Sequence, residues 1–100
     1  MALQKPIYNF RGVNIESAYI RVSQIGYRND GKTVYFWLNL YANQEEAEQD
    51  NIIEEFFCDS MPLSIGDTVP DVLAQIYLHI KTKVNEGDER YSVFKDCTDV

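Results

Sequence analysis

The residues in this sequence with the chemistry to act on a substrate or hold a metal are a single histidine, two cysteines and a short acidic run. His79 would need a nucleophile or an acid placed beside it by the fold, and nothing in the sequence marks one. It falls late in an apolar-periodic stretch, off the apolar stripe, and reads as a surface or boundary histidine. Cys58 and Cys97 are far apart in the chain and, with His79, lack the clustered spacing of a transition-metal site. They read as reduced, buried or half-buried thiols. Glu45, Glu46, Glu48 and Asp50 could face a hard cation, but "NQEEAEQDNIIEE" has neither the central glycine nor the alternating oxygen ligands of a calcium loop. Glu54 and Glu55 cannot act as an acid–base pair from a strand, because neighbours there point to opposite faces. No glycine-rich phosphate loop is present. The expectation is a protein that is not an enzyme and uses no cofactor or metal.

What the sequence offers instead is rings. Aromatic residues make up 13% of the chain, and Tyr35, Trp37 and Tyr41 recur at alternate positions. Such residues anchor protein–protein contacts. Two readings stay open: a core filled by the protein's own N-terminal arm, or an interface with another chain.

The elements that would position these rings follow from periodicity. "TVYFWLNLYA" places Val34, Phe36, Leu38 and Leu40 on one face and Tyr35, Trp37, Asn39 and Tyr41 on the other. Both faces are largely apolar, so the strand is expected to be central, with its second face covered by the arm or by a neighbour. Alternation from Ala18 predicts a strand over about 14–25. Asn29, Asp30 and Gly31 then supply a hairpin turn. A third strand is expected over about 51–60, where the doublets Ile52-Ile53 and Phe56-Phe57 signal a bulge or contacts on both faces. The acidic run before it reads as a solvated loop. Residues 1–12, with Ile7, Tyr8 and Phe10, read as an arm or short edge strand that docks on its own sheet or on a neighbour.

Val69, Val72, Leu73, Ile76, Tyr77 and Ile80 predict a helix over 69–84. Thr68 is its expected N-cap, Pro70 fits its first turn and Gly87 ends it. The expected fold is α+β: one domain over 1–100, an antiparallel meander of three to four strands, one C-terminal helix packed on one face, and a tail over 88–100.

Composition narrows the partners. The formal charge is −7 and the nine Lys and Arg are scattered, which argues against nucleic acid and anionic membranes. No stretch is apolar enough to span a bilayer. The start "MALQKPIYNF" has no apolar core or small-residue cleavage site, so no signal peptide is expected.

The tail carries a resemblance. The helix "LAQIYLHIKTKV", a polar spacer and "YSVFKDCTDV" resemble the ending shared by many small proteins from the structural gene modules of tailed bacteriophages. There, a helix of the type Ala-Tyr-x-x-Leu-Lys precedes Phe, a small residue and a final Asp-Val. The matching positions are Ile76, Tyr77, Ile80, Lys81, Phe94, Cys97, Asp99 and Val100. "ESAYIRV" and "YFWLNLYAN" resemble the preceding meander. Cys97 stands where a small Ala is usual, and the spacer "NEGDER" is longer.

The resemblance implies a virion structural or assembly protein of tail, baseplate or neck. It would be assembled in the host cytoplasm and would contact other virion proteins or further copies of itself. Ile7, Tyr8, Phe10, Tyr35, Trp37, Tyr41, Tyr91 and Phe94 are then the expected interface; the C-terminal aromatics would dock back on the sheet or bridge to a neighbouring subunit, and removing residues 91–100 should weaken folding or assembly. The alternative is a small acidic inhibitor, encoded by a phage or bacterium and acting on a host protein. Its acids should cluster on one face, whereas the densest run here lies in one loop.

Overall fold

The computed structural model describes residues 2–64 and 71–100. Its elements are β1 (Leu3–Phe10), β2 (Val13–Tyr27), β3 (Thr33–Tyr41), α1 (Gln44–Glu48), β4 (Glu54–Pro62), α2 (Val72–Asn85), a 3-10 helix (Glu89–Phe94) and β5 (Thr98–Asp99). The fold is α+β, with a five-stranded sheet in the order β4-β3-β2-β1-β5, antiparallel throughout. Four strands form the expected meander; β5, from the tail, adds a fifth beside β1.

Two hairpins are set by turn chemistry. Arg11 and Gly12 both take positive φ, 51° and 86°, between the paired Phe10 and Val13. That is the geometry a two-residue hairpin loop needs to match strand twist. In the β2–β3 turn, Asp30 Oδ1 accepts from the backbone N–H of Lys32 and Thr33 at 2.8 and 3.1 Å. These bonds stabilise the Asp30 carboxylate and lower its pKa, the Lys32 N–H most. The N-terminal segment is therefore a full strand, flanked on both sides.

The first hairpin outreaches the sheet. Pairing of β2 with β3 begins at Tyr19↔Tyr41, so residues 13–18 pair with β1 alone. Along that ribbon the register steps from Lys5↔Ala18 to Ile7↔Glu16 and skips Pro6 and Ser17. Pro6 has no N–H to give a ladder, and Ser17 takes φ +56°. The ribbon bends so that Tyr8 Oη hydrogen-bonds Glu54 on β4.

The core lies between one sheet face and α2. Val34, Phe36, Leu38 and Leu40 are fully buried, as their alternation requires. Ala18, Ile20, Ile76 and Ile80 join them. The helix begins at Val72, with Asp71 as N-cap accepting from Ala74 N–H at 2.8 Å. The expected cap Thr68, with Val69 and Pro70, lies outside the described residues. Gly87, at φ +77°, follows the helix end.

Candidate interaction surface

The second sheet face is divided. At one end α1 covers it. Asn43 caps this helix by accepting from Glu46 N–H at 2.9 Å, and Ala47 is buried against the sheet. The acidic run is thus a helix over the sheet, where a solvated loop was expected. Its signal was present: Asn43 followed three residues later by Glu46 matches a capping box. Tyr41 is enclosed beneath it, 1% exposed. Tyr41 Oη donates to Asp50 at 3.1 Å and accepts from Asn39 Nδ2 at 3.2 Å. Arg21 lies 5.1 Å from the Tyr41 ring centre and donates to the Ala47 carbonyl at 2.8 Å. The cover at this end is therefore neither the N-terminal arm nor a neighbouring chain, and Tyr41 is removed from the expected interface.

At the other end the rings meet solvent. Tyr35 and Trp37 are half-buried, and Phe57 of β4 is 49% exposed. Register brings Phe57 opposite Trp37, with ring centres 4.8 Å apart, and Tyr35 lies 5.9 Å from Phe57. Tyr35 lies over Gly26, where a Cβ would sit 2.0 Å from its ring. The glycine is thus needed for close approach. Arg28 stacks on Tyr35 at 5.3 Å and pairs with Asp59 of β4. Beside Trp37 a cavity of about 480 Å³ is lined by Ser23, Gln24, Trp37, Asn39 and Glu55. Phe57 and Glu55 were absent from the expected set. The Phe56-Phe57 doublet signalled contacts on both faces, but only the β3–β4 register shows which ring meets Trp37.

The remaining expected residues disperse. Ile7 is 58% exposed on the projecting ribbon. Phe10 is half-buried under Arg11, 5.1 Å away. Tyr8 is half-buried, its hydroxyl pushed up to about 12 by burial and then by Glu54. Tyr91 and Phe94 belong to the core, each 3% exposed. Phe94 packs edge-on against Phe56 at 5.5 Å. Of the two roles open to the tail rings, the structure shows docking on the protein's own sheet, which removes Tyr91 and Phe94 from the expected interface. The tail that carries them closes on β1, through paired hydrogen bonds between Ala2 and Val100 at 3.1 and 3.2 Å.

The candidate chemistry is spread as structure. His79 is half-buried between Phe36 and Tyr91, with Nε2 3.3 Å from Tyr91 Oη. Burial, and then Lys83, lower its pKa. Cys58 is buried and Cys97 half-buried, both unpaired to sulfur; burial raises each thiol to about 11. Glu54 bonds Tyr8 while Glu55 lines the outer cavity, so the two carboxylates part to opposite faces. Among the described residues no three His, Cys, Asp or Glu gather to hold a metal ion, and no helix is long and apolar enough to cross a membrane. Comparison with protein-family models, curated proteins and solved structures finds no match for this chain.

Proposed function

We propose that this chain is a non-enzymatic structural or assembly protein of a tailed-phage virion, of tail, baseplate or neck type, acting by contact with further copies or with other virion proteins. The observation that carries the contact role is the Tyr35–Phe57–Trp37 strip on the solvent side of the sheet, where exposed Phe57 packs on half-buried Tyr35 and Trp37, since grouped rings left open to solvent mark interaction sites. Beside it runs β4, nine residues long and at the sheet edge, a position open to strand addition. The phage assignment rests on the resemblance of the helix and tail, Ile76 to Val100, and of the meander before them.

Light scattering on the purified chain tests the reading. A ring or other defined multimer is expected, and Phe57→Ser should reduce it toward monomer while leaving the thermal melt near wild type. A strict monomer at every concentration turns the reading to the other class, a small acidic protein that blocks a host protein; the charge of −7 is the feature that favours it.

A further inference from the structure

Arginines already sit on the outer sheet face in a repeated way. Arg28 stacks on Tyr35 and pairs with the Asp59 carboxylate. Arg21 stacks on Tyr41 and gives an N–H to the Ala47 carbonyl. Tyr35 and Tyr41 lie on one face of β3, and Trp37 stands between them on that face. Among the described residues no Arg or Lys lies over Trp37, although indole is the best ring for a cation. The cavity of about 480 Å³ opens here, lined by Ser23, Gln24, Asn39 and Glu55 beside the indole. It therefore offers the parts found at the neighbouring stacks, a ring and oxygen acceptors, without the guanidinium.

We propose that this cavity is a socket for an arginine side chain presented by a basic segment of a partner protein. This rests on the contact function proposed above and names the partner's chemistry. The guanidinium stacks on Trp37 and gives its fork of N–H donors to the Glu55 carboxylate, which suits a planar, bidentate donor better than an ammonium. Amide oxygens of Gln24 and Asn39 accept further N–H groups; Asn39 already uses its amide N–H on Tyr41 Oη. The charge of −7 complements a basic segment and steers its approach.

Trp37 is the sole tryptophan, so its emission reports on the socket directly. The full chain is titrated with tetra-arginine peptide, then with tetra-lysine and with maltotriose. Tetra-arginine is expected to shift Trp37 emission saturably, with tetra-lysine weaker and maltotriose silent. E55Q should weaken tetra-arginine by about fivefold or more, while E89Q, which removes the same charge on the 3-10 helix, leaves it unchanged. An emission that does not respond, equal losses in E55Q and E89Q, or a response to maltotriose in place of tetra-arginine overturns the socket. The two proposals fail separately. A multimer that persists unchanged in E55Q, with no tetra-arginine response, keeps the contact role and removes the socket. Specific tetra-arginine binding by a strict monomer keeps the socket and removes self-assembly.

Discussion

Tyr77 brings its hydroxyl to the point where β2 breaks register. Pairing with β3 runs Val22↔Leu38 and then Gln24↔Trp37, so a bulge lies between. A bulge leaves a strand residue out of the ladder. Val22 N–H donates to Tyr77 Oη at 3.0 Å, so a helix side chain completes the sheet at its irregular point. Tyr77 is 3% exposed, and burial raises its pKa. Removing the hydroxyl strands a partly buried donor, which costs about 1–3 kcal/mol. Tyr77→Phe is therefore expected to lower the melting temperature by roughly 4–8 °C for each kcal/mol lost in a domain of this size. An unchanged melt would mean that solvent serves Val22 equally well.

At the scale of elements, the tail is a closing strap. The 3-10 helix puts Tyr91 and Phe94 under α2 and against β4, and β5 then extends the sheet beyond β1. Asp88 starts the 3-10 helix by accepting from Arg90 N–H at 3.0 Å, and the Arg90 side chain also bonds it. The strap thus joins the two ends of the chain through one core. Phe94→Ala should cost about 3–5 kcal/mol, a large part of the 5–15 kcal/mol that holds a small domain together. Calorimetry should show a strongly lowered melt. Removal of residues 91–100 consequently reports on folding before it reports on assembly. An unchanged melt with a changed particle size would instead return Phe94 to an interface.

For the whole molecule, His79 links stability to pH. Its surroundings are Phe36 and Tyr91 on the packed side, the cations Lys83 and Arg90, and the opposing acids Glu86 and Asp88. Burial and the two cations lower its folded pKa below 6.5, so the unfolded chain takes the proton first. The neutral histidine's contribution is complete above pH 6.5 and declines as pH falls from there to the folded value. Melting temperature should therefore fall on acidification through this range, and His79→Gln should flatten the slope. Asp88 does not titrate in that window, because Arg90 holds it at about 2. A wild-type slope that survives His79→Gln would place the pH sensitivity elsewhere.

Period is a local property, so much of the fold could be read from the chain. Alternation marked β2 and β3 to within about two residues, and the helical repeat of Val72, Ile76, Tyr77 and Ile80 marked α2. The α+β class follows from that order. Local pattern also separated Glu54 from Glu55. Coverage is not local: it depends on which distant segment comes to lie over a face. The Asn43–Glu46 capping pair announces a helical turn near Tyr41, but nothing local says that the turn folds back over that ring. Nothing in "YSVFKD" distinguishes a ring that docks on a neighbour from one that fills its own core, because burial of either kind takes the same residue types. Packing resolved this by enclosing Tyr41, Tyr91 and Phe94 and leaving Tyr35, Trp37 and Phe57 toward solvent. The socket beside Trp37 is likewise tertiary, since Glu55, Gln24 and Trp37 come from three strands and meet only through their register.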